Sequence, residues 1–333
     1  MTKKIKDTDY LAVSARVRAM ENSLLTRERM EQVLEARTDE EAVKILQECG
    51  YPELDPARPE AMDAALSQVR EATLADLSDG IPDARYLDIF KLKYDYHNAK
   101  ALVKGEATGA DVRRLLVSGG RYSCRQLLEG FQKDALSGVS ARIQQAVAAA
   151  RRILADTRDP QQCDILLDKA CYEEMARLAE DCASPFLKGY VRLCADTANL
   201  RTAVRVARMG KGSDFLLHVL LPGGSVAESA LAAARPEDLG SLFQAGALEK
   251  AARLGARAAQ PDGGPLLAFE RECDNALTRY VAAAKRVPFG EEPVIAFLHA
   301  KDAELTAVRT ILSGRRAGLD EAMIWERLRE CYV

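Results

Sequence analysis

The sequence predicts an all-α protein, and three observations carry that reading. No stretch alternates apolar and polar residues for long enough to argue for a strand, whereas apolar positions recur three and four apart. Hydrophobic residues make up 48% of the 333 but aromatic ones only 6%. Ala, Leu, Arg and Glu are abundant, and these lose little rotamer freedom in a helix. Helix starts and stops also stand where the apolar runs begin and end, such as Thr38, Ser184 and Gly50. A chain this long buries a substantial core in one to three domains.

From the N-terminus, a helix is expected over 9–22 with Tyr10, Val13, Val17 and Met20 on one face. A second begins at Thr26. A third has Thr38 as N-cap with Glu41 three residues on, a capping box, and stops at Gly50. Pro52, Pro56 and Pro59 make 51–59 a loop. Helices then cover 60–77 and 83–104. Past Thr108, short helices flank Gly119-Gly120, and longer ones cover 140–155 and 160–182. Ser184 as N-cap and Pro185 at the first helical position open the next helix. Its Phe186, Tyr190, Leu193, Thr197, Leu200 and Val204 step by four and three into a buried stripe. From Ser213 the chain runs to a break at Pro222-Gly223-Gly224, makes short helices to about Arg257, and loops from Gln260 through Pro261 to Pro265. Two long helices over 266–286 and 292–312 and a final one over 320–330 complete the expectation.

One short pattern occurs three times: Asp95-Tyr96-His97-Asn98-Ala99-Lys100, Asp196-Thr197-Ala198-Asn199-Leu200-Arg201 and Glu304-Leu305-Thr306-Ala307-Val308-Arg309. Each copy holds an acid, two variable positions, Asn (Ala in the last copy), a small or aliphatic residue and a base. Asn98, Asn199 and Ala307 stand 101 and 108 residues apart, close to a third of the chain. Lys100 is followed by Gly105 and Gly109, and Arg309 at the same distances by Gly314 and Gly318. A second landmark recurs as Leu115-Leu116-Val117-Ser118-Gly119-Gly120 and Leu220-Leu221-Pro222-Gly223-Gly224. Repetition at this period suggests three similar units, over 1–107, 108–212 and 213–333.

On a helix the acid and the Asn share a face, while the base lies about 140° from its own acid and cannot easily pair with it. Two readings stay open. Asp95, Asn98, Lys100, Asp196, Asn199, Arg201, Glu304 and Arg309 are solvated helix faces, or the bases meet acids on another helix, structurally or for docking.

The chemistry of an autonomous enzyme is missing from the residues. Gly210-Lys211-Gly212-Ser213 has Arg205 where a phosphate loop needs Gly, and Gly212 where Ser or Thr should follow the Lys. A helix C-cap turn accounts for it. His97, His218 and His299 complete neither HExxH nor Glu-x-x-His pairs. The eight cysteines show no CxxC and read as reduced thiols. A net charge of −3 with interspersed signs leaves no nucleic-acid footprint. Met1-Thr2-Lys3-Lys4 is basic but leads into no signal-length apolar run, and no run approaches the ~18 residues of a spanning helix. A soluble, cytoplasmic protein without metal or cofactor is expected.

Tyr94-Asp95-Tyr96-His97-Asn98-Ala99-Lys100-Ala101-Leu102-Val103-Lys104-Gly105 resembles the C subunit of the archaeal and bacterial V-type (A-type) rotary ATPases, the counterpart of the d subunit of the vacuolar ATPase. Ala15 to Leu25 looks like that family's N-terminal helix. The second and third motif copies and Leu221-Pro222-Gly223-Gly224 are similar to its later landmarks, so the resemblance spans nearly the whole chain. Ala99 and Ala307 stand where the family more often has Leu and Asn.

The resemblance implies a funnel of three related helical subdomains about a pseudo-threefold axis. It implies a non-catalytic rotor subunit between the membrane proteolipid ring and the central-stalk subunits, transmitting torque for ion transport. Such a subunit binds no nucleotide or ion itself and lies peripherally on the cytoplasmic side of the membrane. A torque-bearing adaptor needs a polar end for the ring's loops and a central cavity for the foot of the stalk. Two other readings compete. A helical-repeat scaffold would show a shallow superhelix with a concave side, and a helical enzyme a deep pocket gathering acids and a histidine.

Overall fold

The computed structural model describes residues 5–133, 135–260 and 262–333; Pro261 of the expected loop and the basic residues 1–4 lie outside them. Among the described residues every regular element is helical. In order these are α1 (Leu11–Glu21), α2 (Arg27–Glu35), α3 (Asp39–Glu48), α4 (Pro59–Ser78), α5 (Arg85–Thr108), α6 (Cys124–Gln132), α7 (Ala141–Thr157) and α8 (Pro160–Cys182). There follow α9 (Pro185–Arg208), α10 (Ser213–Val219), α11 (Glu228–Ala233), α12 (Leu239–Leu242), α13 (Glu249–Ala258), α14 (Leu267–Ala282), α15 (Glu291–Arg316) and α16 (Glu321–Trp325). The motif copies lie on α5, α9 and α15, each of at least 24 residues.

Local chemistry sets the helix starts. The hydroxyls of Thr26, Ser123, Ser140 and Ser184 each accept the main-chain N–H three residues on, meeting one of the donors that a helix N-terminus leaves unpaired. Thr38 does the same for Glu41, but the Glu41 carboxylate accepts the N–H of Arg37, one residue before the N-cap. Gly210 ends α9 at φ 64°, with the N–H of Lys211 on the carbonyl of Val206, so Gly210-Lys211 is a helix-terminating turn.

The structure corrects three expected boundaries. The first helix opens as a 3-10 turn at Asp7–Tyr10. Helix α14 stops at Ala282 and passes into a 3-10 turn at Ala283–Arg286. The last helix is five residues long rather than eleven. Beyond it the tail is bound sideways instead of coiling: Glu330 N–H donates to Asn275 on α14, Arg329 to Asp274, and Tyr332 OH to Glu21 on α1. Tertiary partners outbid helix propensity there.

Apolar side chains gather in three clusters. One joins α1, α5, α6, α7, α8 and the start of α9 to Val294–Ala300 of α15. The second packs the rest of α9 against α10 to α14. The third joins the two ends of the chain, Leu25 to Leu66 against Leu305 to Leu328. Of the expected α9 stripe, Tyr190, Leu193, Thr197, Leu200 and Val204 are buried, and Phe186 is half-buried.

Candidate functional site: the repeated motif and the cavity between its helices

The acid and the Asn of the motif hold a loop. Asn98 donates from its side-chain amide to the carbonyl of Val117 and accepts the N–H of the same residue, at 2.8 and 2.9 Å. Asn199 repeats this on Leu221 at 2.8 and 2.7 Å. Asp95 accepts the main-chain N–H and the Nε–H of Arg121, and Asp196 the main-chain N–H and hydroxyl of Ser225. Both recipients directly follow a Gly-Gly pair. A Cβ on Gly120 would stand 2.3 Å from Asp95 Oδ1, and one on Gly224 2.4 Å from Asp196 Oδ1. The two landmarks of the sequence are therefore two halves of one clamp.

The third copy clamps the opposite end of the chain. Glu304 accepts the N–H of Leu25 and the hydroxyl of Tyr51, with Lys301 beside it. Leu25 directly precedes the N-cap of α2, much as Arg121 and Ser225 lie shortly before those of α6 and α11. Ala307, with no side-chain hydrogen bond to give, packs against the third apolar cluster.

The bases follow the same order. Lys100 on α5 pairs with Asp168 on α8, Arg201 on α9 with Asp274 on α14, and Arg309 on α15 with Asp63 on α4. Each base thus reaches the long helix preceding another motif helix, and the last leads back to the first. The acids and asparagines are nearly or fully buried rather than solvated. Burial pushes the Asp95 carboxyl upward despite Arg121, whose guanidinium also contacts Glu174. Glu174, which no sequence signal marked, accepts the Tyr96 hydroxyl as well.

Between α5, α9 and α15 lies a cavity of about 820 Å³. Helix α5 turns Lys93, His97 and Lys100 to it, α9 Tyr190, Cys194, Thr197 and Arg201, and α15 His299, Asp302, Thr306 and Thr310. Asp168, Asp274 and the tail residues Arg327 and Arg329 also line it. Of the eight motif residues singled out by sequence, only Lys100 and Arg201 reach this wall. A second hollow, of about 970 Å³ and largely apolar, lies apart from it between the end of α5 and α7.

The wall is electrostatically tied down. Asp302 takes Arg70 at 3.1 Å and Lys93 at 2.6 Å. Burial raises its proton affinity, but the two cations outweigh that and hold it below the usual carboxylate range. Lys93 lies deep in the molecule yet is half exposed, because its solvent is the cavity; Asp302 outweighs burial and raises its pKa. Burial holds the His299 imidazole neutral, down to about 4. Its two nitrogens face the hydroxyls of Tyr190 and Thr278. Acids and a histidine do meet here, but each carboxylate is already neutralised by a lysine or arginine.

Among the described residues no helix is long and apolar enough to cross a membrane, and no three His, Cys, Asp or Glu side chains are grouped to hold a metal. The fold and its repeated clamps define an all-α protein with an internal repeat. The chain belongs to the ATP synthase (C/AC39) subunit family, whose model matches residues 13–327. It is 23% identical to the C subunit of the V-type sodium ATPase of Enterococcus hirae, covering 97% of this chain and 99% of that one. It is 27% identical to the C subunit of the V-type ATP synthase of Thermus thermophilus, over 96% and 98%. With the C subunit of the A-type ATP synthase of Haloferax volcanii it shares 28% over 78% of each.

Proposed function

We propose that this chain is a central-rotor subunit of a V-type (A-type) ATPase or ATP synthase, seated between the membrane proteolipid ring and the soluble central stalk. In this reading 1–107, 108–212 and 213–333 form three related subdomains, arranged as a funnel about a pseudo-threefold axis. The motif residues are its internal fasteners, and the chain passes torque without binding nucleotide itself. The observation that carries the reading is the cavity walled by one stripe from each motif helix. The return of Glu304 and Arg309 to the N-terminal helices favours a closed body over an open superhelix. A body that twists little under load needs such cross-links at every joint. Because the cavity's carboxylates are all paired, they make poor general bases, which weighs against the enzyme reading.

The test is affinity capture of this chain from detergent-solubilised membranes of its source, with co-purifying proteins identified by mass. Recovery of the proteolipid and stalk subunits with ATPase activity in the eluate supports the rotor role. Recovery of the chain alone, or with unrelated soluble proteins, overturns it.

A further inference from the structure

The cavity wall has a chemistry of its own. Among the described residues it carries five cationic side chains (Lys93, Lys100, Arg201, Arg327 and Arg329) against three carboxylates. This excess of positive charge sits in a chain whose net charge is −3. All three carboxylates are already paired: Asp168 with Lys100, Asp274 with Arg201 and Arg329, and Asp302 with Lys93 and with Arg70 behind the wall. Those pairs occupy four of the five cations, and among the described residues Arg327 alone of them makes no ion pair. Arg327 is exposed and reaches only the main-chain carbonyl of Met323. On α9, Arg201 Nε and the hydroxyl of Thr197 are buried without a hydrogen-bond partner, four residues apart on the face that looks into the cavity.

We infer that the cavity is built for an acidic guest, and that the foot of the central stalk presents Asp or Glu side chains to the α9 wall and to Arg327. This rests on the rotor reading above and specifies the chemistry of its docking surface. Complementary charge sets partner choice and association rate, and it is screened by salt. Arg327 supplies the unpaired charge, and Arg201 and Arg329, which share the one carboxylate of Asp274, leave a surplus of positive charge beside it.

The experiment measures binding of the full-length chain to the central-stalk assembly purified from the same complex. Affinity is expected to fall by about tenfold or more between roughly 50 and 500 mM salt. Arg327→Glu is expected to weaken binding by about tenfold at low salt and to flatten that salt dependence. Arg327 is exposed, so Arg327→Glu is expected to leave Tm unchanged while it weakens binding. Lost affinity at an unchanged Tm cannot come from a folding defect. Binding that ignores both salt and Arg327→Glu would overturn the acidic guest and leave the rotor role standing. Failure of the wild-type chain to bind the stalk at any salt would overturn both.

Discussion

Glu304 on α15 accepts the main-chain N–H of Leu25, 279 positions earlier in the chain. The same carboxylate takes the Tyr51 hydroxyl and the Lys301 ammonium, and it is 4% exposed. Removing it strands three donors in the third apolar cluster. Glu304→Ala is expected to cost about 3–5 kcal/mol, and Glu304→Gln, which keeps an acceptor, about 1–3. Urea unfolding of the two variants checks this; equal, small losses would mean that the clamp contributes nothing.

Gly120 and Gly224 are required by their neighbours rather than by φ. A methyl group at either collides with the carboxylate that holds the next residue's N–H. Gly120→Ala and Gly224→Ala should each cost about 2–4 kcal/mol, through overpacking plus the lost bond. Gly212 has negative φ and open space around it, so Gly212→Ala should stay within about 0.5 kcal/mol. Thermal unfolding of the three side by side is the measurement.

The three base–acid pairs differ in exposure, and that ranks them. Arg201 and Asp274 are 24% and 33% exposed, whereas Arg309 and Asp63 are 46% and 51%. Double-mutant cycles should give a coupling of about 1 kcal/mol for the first pair and about 0.3 for the second. A larger value at Arg309 would invert the exposure argument.

His299 makes stability depend on pH in a defined window. Its folded pKa, about 4, is depressed from an ordinary 6.5, so the neutral ring favours the fold above the unfolded value. That contribution is lost as pH falls from 6.5 toward 4, by about 2 kcal/mol at pH 5. Wild type should therefore lose more stability than His299→Phe between pH 7.5 and pH 5. Parallel pH profiles would show that the ring does not titrate as its surroundings demand.

Local signals in the sequence carried the fold well. Ser184 and Pro185 open α9 where a cap and a first-turn proline should, because both act within three residues of themselves. The tail was misjudged because its partners, Asn275 and Asp274, lie more than fifty positions away. The motif was legible as a pattern but not as a device. Asn98 and Asn199 bind main-chain groups of Val117 and Leu221, and a main-chain group has no side-chain signature. The clue was present in the Gly-Gly pairs that follow the first two copies; what was missing was the reason for two glycines, a carboxylate lodged against the second. The bases were half legible: helical geometry kept each from its own acid, but solvent and another helix both stayed open until the pairs with Asp168, Asp274 and Asp63 were seen.

The third apolar cluster has a consequence for how the chain is made. The first two clamps close on loops about twenty to thirty residues downstream, so they can form while the ribosome is still at work. The third needs Glu304, and the apolar faces that α2, α3 and the start of α4 turn toward 305–328 stay incompletely covered until that segment emerges. At 5–20 residues per second, the roughly 240 residues between Leu66 and Leu305 take about 12–50 s to synthesise. For that interval Val33, Leu46 and Leu66 lack the apolar partners that 305–328 later brings them.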